Sequence, residues 1–400
     1  MKRYRALLRL PHVQPVLGAA IINVVAWSGG LPLAIILYVK EVEGSYATAG
    51  AVMAALALAG AASSPWRGRI VDRHGIRRSL LPLTAVSAAA LLLMLASGES
   101  GIGPIPLVVL GGLVGAFLPP VIAVLRSLWS RLVPDEELRD SAYALQSVIS
   151  SVAYLVGPAL AAAAASASPV AGLLIVTTLG ALGALGFMRA APETDEEGKE
   201  TEPRPVLAAL RSSGLRLLIG TAVSYGGFLA SLDVAAPALA GEHGDAVAGG
   251  LALTALFAGS LIGGLVYGAR AWRSSVQRRY LLQYAAMATA LVFAPLATSI
   301  LILSVVLFVA GLALAPVTAT MFALIEKAAV EGTENEATMW IVAAYSGGGA
   351  LGSLAAGVLA QHAGAAAALA VGPAALWLGV VIIAVGQRSL ASSQPANAAA

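Results

Sequence analysis

The chain has no cysteine, only 4 histidines in 400 residues, and charge on only 11% of them. Without thiols there are no disulfides and no thiolate metal sites. His12, His74, His243 and His362 all stand near loops, and no H-E-x-x-H pair occurs, which excludes that zinc-enzyme pattern. The scarcity of charge excludes more, because soluble chains carry about 25%. Water is not the main solvent of this protein. There is also no basic stripe interleaved with aromatics, so the sequence pI near 9.2 does not describe a nucleic-acid surface.

What is plentiful is apolar. Hydrophobic residues make up 58% of the chain and the mean hydropathy is +0.85. A bilayer core about 30 Å thick takes about 20 apolar residues per helix. The runs thread as twelve transmembrane helices, spans one to twelve, at 13–38, 47–66, 79–97, 104–125, 142–165, 170–188, 217–239, 247–267, 280–298, 300–325, 337–360 and 363–385. Lys2, Arg3, Arg5 and Arg9 give the first run the charged start of a signal peptide, but its apolar stretch is too long for one. It is expected to be a membrane helix.

Threaded this way, all of the 24 Lys and Arg residues except Lys40 fall on one side of the membrane. Basic residues near span ends are retained in the cytoplasm. The chain is therefore expected in the cell inner (cytoplasmic) membrane as a multi-pass protein, with both termini cytoplasmic. Residues 189–216 form the one long polar segment, where Glu193, Asp195, Glu196, Glu197, Glu200 and Glu202 accompany Pro192, Pro203 and Pro205. An acidic, proline-bearing run of this kind reads as a solvated linker. It divides an N-terminal six-helix half, 1–188, from a C-terminal half, 217–400, that ends in a short cytoplasmic tail.

The halves read as a repeat. Gly68 and Gly264 lie 196 positions apart, as do Pro120 and Pro316, and the same shift lays 141–160 over 337–356. Two such halves related by an axis along the membrane normal place a solute site at their interface near the midplane.

Between spans two and three, Gly68-Arg69-Ile70-Val71-Asp72-Arg73-His74-Gly75-Ile76-Arg77-Arg78 resembles the loop signature of the major facilitator superfamily, approximately G-x-L-x-D-R-x-G-R-R. Ile70 replaces the leucine and Ile76 one arginine. The resemblance implies an all-α fold of two pseudo-symmetric six-helix halves, and a gate motif of Gly68, Asp72, Arg73, Gly75, Arg77 and Arg78. It also implies that Asp72 latches the halves on the cytoplasmic side. Independently of the family, Asp72 is a lone carboxylate among Arg67, Arg69, Arg73, Arg77 and Arg78, an ion cluster able to cap a helix end in one conformation and be broken in another. Gly68 and Gly75 permit close approach and a tight turn. The matching stretch of the second half, 264–270, has no acid, so the latch is expected to be asymmetric. Arg126 and Arg139 either snorkel at the interface or join the cluster around Asp72. The arginine that the family often places in mid span four has no counterpart here, where the position falls near Val108.

Gly157-Pro158 in span five resembles the end of the antiporter signature of exporters in the superfamily, although Ala161 and Ala162 stand where a glycine pair is usual. The alternative is an ordinary packing kink. Gly111 with Gly115, Gly259 with Gly263, and Gly348 with Gly352 have the spacing of close helix packing. Asp233 is the one acid inside a span, between Leu232 and Val234. A charge in hydrocarbon costs at least about 2.5–3.5 kcal/mol on insertion scales, which marks Asp233 as the candidate proton-coupling site. The other reading hydrates it near the outer mouth with Glu242 and Asp245.

Asn23, Trp27, Gln146, Tyr154, Tyr225, Phe322 and Tyr345 are the candidate lining of a solute cavity, with Ser28, Ser150, Ser224, Met321 and Trp340 nearby. Aromatics with a few amides and hydroxyls suit an uncharged or weakly cationic amphiphile. Taken singly, each aromatic also reads as packing or an interface anchor. The resemblance implies a secondary transporter of the twelve-span drug and metabolite efflux branch, exporting a small amphiphilic drug, metabolite or sugar-like compound against protons. Uptake by symport, and a non-transporting sensor or assembly partner, are the alternatives. The expected partners are the solute, protons and the lipid bilayer, with no cofactor and no nucleic acid, and the chain is expected to be a monomer and not an enzyme.

Overall fold

The structure is a computed structural model that describes residues 7, 9–10, 12–99, 103–133, 136–192, 212–269, 274–328 and 334–392. No strand occurs among them. The chain divides into two compact units, Met1–Glu200 and Thr201–Ala400. Nine helices among the described residues are long and apolar enough to cross a membrane. Twelve spans fit that number, because the 48-residue stretch Met339–Gly386 contains a break at Gly364, while Val152–Ala165 and Val276–Leu291 are shorter apolar or mixed helices.

In the first unit, span one is helical from Val13 to Asn23, widens into a π-helix over Val24–Gly30, and returns to α-helix over Leu31–Glu43. Gly44, at φ 64°, ends it. Spans two and three form one helical run, Tyr46–Glu99, broken only at Gly75, where φ is 76° and ψ 171°. This corrects the expected loop. The helix of span two continues through Gly68, which has open space around it and makes no close approach, and Gly75 alone turns the chain. Span four is Pro104–Phe117 and then, after a break at 118–120, Val121–Leu132. Spans five and six are Glu136–Ala165, with Pro158 inside, and Pro169–Ala190.

Missing side chains hold these helices together. Gly115 lies against the backbone of Leu56, Gly111 against Val52, and Gly157 against Gly29 and Gly30, so in each case an added Cβ would meet main chain. Close backbone approach of this kind replaces the hydrophobic drive that lipid does not supply. Leu7, Val13, Leu17, Leu128, Trp129, Ile149, Phe187 and Met188 form a buried apolar cluster.

The second unit runs Ser213–Glu242 with Pro237 inside, Gly249–Ala269, Val276–Leu291 with a 3-10 turn at Ala294–Leu296, Ile300–Ala328 with Pro316 inside, and Glu334–Ser392 broken at Gly364. Its glycines pair in the same way: Gly348 with Val223, Gly352 with Gly227, Gly259 with Phe308 and Gly263 with Leu312. After the break at Gly364, the Ala365 amide donates to Glu242 Oε1 at 2.7 Å, so the acid at the end of span seven caps span twelve.

Candidate functional site

The turn at Gly75 brings Arg77 to the end of span six. Ser79 Oγ donates to the Ile70 carbonyl at 2.8 Å, tying the two helix ends across the turn. Arg77 Nε donates to the Met188 carbonyl at 3.0 Å and Arg77 Nη2 to the Arg189 carbonyl at 3.3 Å. Those carbonyls end span six, where a helix has no donors left and carries partial negative charge, so a guanidinium is a suitable cap. Arg73, Arg78 and Arg126 are exposed. The side chains of Asp72 and Arg139 lie outside the described residues. Arg67, which sequence inspection placed only as one member of the basic cluster, instead reaches the Leu118 carbonyl in the break of span four and the Gly60 carbonyl at 2.7 Å.

Three of the expected cavity residues lie inside the packing of the first unit. Asn23, 4% exposed, donates from Nδ2 to the Gly180 carbonyl at 2.8 Å. Trp27, 3% exposed, packs against Gly180, and its Nε1 has no hydrogen-bond partner among the described residues. Gln146 accepts from Trp129 Nε1 at 2.9 Å and donates to the Ile122 carbonyl at 3.2 Å, so both ends of its amide are occupied within the unit. Their polar groups look like lining in sequence because composition does not say which face of a helix they occupy. Tyr154, in contrast, is 39% exposed.

The second unit carries a denser polar and aromatic belt. Tyr225 is buried, and its hydroxyl pairs with Thr318 Oγ1 at 3.0 Å; its ring lies 6.1 Å from that of Tyr345 and 5.9 Å from that of Phe228. Tyr280 donates to Thr221 Oγ1 at 2.9 Å, and Tyr284 donates to the Thr221 carbonyl at 3.0 Å while also meeting Ser224 Oγ. Thr320 donates to Gln283 Oε1 at 3.0 Å. Spans seven, nine and ten are thus tied by hydroxyls, and Phe322 and Tyr345 stand at 50% and 37% exposure. Thr221, Tyr280 and Tyr284 escaped sequence inspection, since a tyrosine or threonine in an apolar run gives no sign of its partner.

Asp233 is half-buried, flanked by fully buried Leu232 and Val234. No described residue hydrogen-bonds or pairs with its carboxyl group. The acids nearest in sequence differ in this respect: Glu242 caps span twelve, and Asp245 Oδ1 accepts from the Ala248 amide at 3.2 Å. Pro237 lies four residues after Asp233 and cannot donate the backbone hydrogen bond that the Asp233 carbonyl would otherwise receive. The Asp233 carbonyl thus loses its usual intrahelical donor, although Ser213–Glu242 stays helical. Among the described residues no group of three or more His, Asp or Glu could hold a metal ion.

The Major Facilitator Superfamily family model matches residues 16–329. The chain is similar to a point mutant of the nucleoside transporter NupG, with 13% identity over 94% of this chain and 99% of that one and a TM-score of 0.77. For NupG itself the identity is 12%, over 94% and 98%, with a TM-score of 0.70. The human organic anion transporter MFSD10 (TETRAN) is similar at 15% identity over 93% and 98%, with a TM-score of 0.63. At such identities the likeness is one of fold. No curated protein matches the chain.

Proposed function

The chain belongs to the Major Facilitator Superfamily, which makes it a multi-pass secondary transporter of small molecules and not an enzyme; from that premise we propose that it exports a small amphiphilic solute in exchange for protons. In this proposal it works by alternating access as a monomer in the inner membrane, with both termini in the cytoplasm. Asp233 carries the reading: it is a carboxyl group inside span seven with no partner among the described residues, one turn before Pro237, while the neighbouring acids are occupied as caps. Intramembrane acids without a fixed partner are where transporters take up and release protons. Tyr225, Phe322, Tyr345 and Tyr154 are the proposed solute contacts. Asn23, Trp27 and Gln146 are left out, because the amides of Asn23 and Gln146 are occupied within the first unit and the Trp27 ring is packed against Gly180.

Asp72 is the proposed gate acid, acting with Arg73, Arg78, Arg126 and Arg139 on the cytoplasmic side. Export rather than uptake rests on the likeness of Gly157-Pro158 to the antiporter signature. Gly157 also meets a plain packing need against Gly29, so the direction of transport calls for a measurement. The test is reconstitution into liposomes loaded with a pH-sensitive dye, followed by addition of a compound panel. Nucleosides and organic anions belong in that panel because the similar solved structures transport them. A solute-dependent pH change whose sign reports antiport is expected. Solute movement without any proton movement would reduce the protein to a uniporter.

A further inference from the structure

Leu118 leaves the helix at φ −57° and ψ 122°, and Pro119 and Pro120 bring no backbone N–H, so the carbonyls of Gly115 and Ala116 lose the donors that a continuous span four would give them. The equivalent proline of the second half behaves differently. Pro316 lies inside the unbroken helix Ile300–Ala328, and Ala315 stands where the first half has Pro119. One proline is absorbed; two in succession break the span.

The facing helices differ at the same level. Shifted by 196 positions, Arg67 corresponds to Gly263, which lets the backbones of spans eight and ten meet at the Leu312 carbonyl. Arg67 fills that place with a guanidinium. One of its nitrogens donates to the Leu118 carbonyl in the break, and Nη2 donates at 2.7 Å to Gly60, seven residues back along its own helix. The side chain therefore points back along span two instead of toward the basic segment that follows. Both acceptors are neutral, no described carboxylate pairs with it, and its Nε is buried without a partner.

We infer that Arg67 is the positioning residue of span four, joining the broken end at Leu118 to span two and so setting the angle between Pro104–Phe117 and Val121–Leu132. Releasing this contact frees Val121–Leu132, the segment that carries Arg126, to swing. That the swing serves transport rests on the transporter reading; the swing itself does not.

Hydrogen exchange on the full-length protein in lipid nanodiscs tests the hinge without a solute. Arg67→Gln should speed exchange of residues 121–132 about tenfold, the change expected when a charge-assisted hydrogen bond guarding a local opening is lost. Exchange in 300–328 should not change. Arg67→Lys keeps the charge but has a single point donor, so it should give an intermediate rate and an assayable protein if the glutamine variant fails to fold. Replacing Pro119 and Pro120 by alanine restores the backbone donors and should suppress the effect of either variant. Wild-type exchange in Arg67→Lys and Arg67→Gln, or no suppression by the alanine pair, would overturn the inference. In liposomes, a transported compound should show reduced turnover with unchanged KM; normal turnover with a loosened hinge would detach the hinge from transport and leave the exchange result standing.

Discussion

The two halves pair their helices alike and differ in how they treat proline and arginine. Spans one and five meet through Gly29 and Gly157, and spans seven and eleven through Gly227 and Gly352; spans two and four, and eight and ten, meet through Gly115 and Gly311. These contacts are imposed by sterics, since helices without side chains at the crossing are free to approach until backbones touch. The irregularities are not shared. Span one carries a π-helix at Val24–Gly30, whereas span seven is α-helical throughout Ser213–Glu242, and span four breaks where span ten does not. A π segment holds more residues per turn and marks functional positions in many helices. The first half thus carries the π segment and the break of span four, and the second the belt of hydroxyls and tyrosines that joins spans seven, nine and ten.

The largest effects should come from the shared contacts. Gly157→Leu and Gly348→Leu each push a side chain into main chain and should lower stability by about 3 kcal/mol or more, the upper end of overpacking costs. Thermal unfolding in detergent measures it. A large loss in one half with none in the other would break the likeness between them.

Next come the unlike features. Asp72→Asn removes the acid that the second half lacks, and should cut turnover roughly tenfold while sparing solute affinity, because a gate acts on the distribution of states rather than on the cavity. Transport assays at saturating and subsaturating solute separate the two, and unchanged transport would make Asp72 a solvated charge. A smaller effect is expected from Arg77→Gln, which takes the cap from the end of span six and should cost about 1 kcal/mol in unfolding experiments. An unchanged melting temperature would mean that the Met188 and Arg189 carbonyls find other donors.

Smallest should be Tyr267→Phe. Tyr267 and Arg279 join spans eight and nine through a 2.7 Å hydrogen bond, with the guanidinium 5.7 Å from the ring. Removing the hydroxyl leaves the cation over the ring, so about 0.5–1 kcal/mol is at stake. A loss as large as that of Arg77→Gln would make this pair the second half's counterpart of the Gly75 turn.

The spans were legible because hydrophobic length is written directly in sequence, and Gly348 and Gly352 announced close packing by their spacing. The break of span four was half visible: Pro119-Pro120 stands in the sequence, but the carbonyls it orphans, and the arginine that answers them, belong to tertiary structure. Gly68 and Gly75 looked equivalent in the motif, yet only Gly75 adopts a positive φ, since either glycine alone permits a turn and the packing of Ile76 and Leu80 selects one. Asn23, Trp27 and Gln146 were read as lining because polarity marks a residue without marking its face. Asp233 stands out in the sequence by a different signal, as an acid in an apolar run.

Gradient-driven transport by Asp233→Asn tests the central claim most directly. The amide preserves the shape and hydrogen-bonding capacity of the acid but cannot titrate. In liposomes with an imposed pH gradient and a transported compound, uphill movement should disappear, downhill exchange should persist, and the pH dependence of transport should vanish with the carboxyl group. Uphill transport by Asp233→Asn at the wild-type rate, with the wild-type pH profile, would contradict the account.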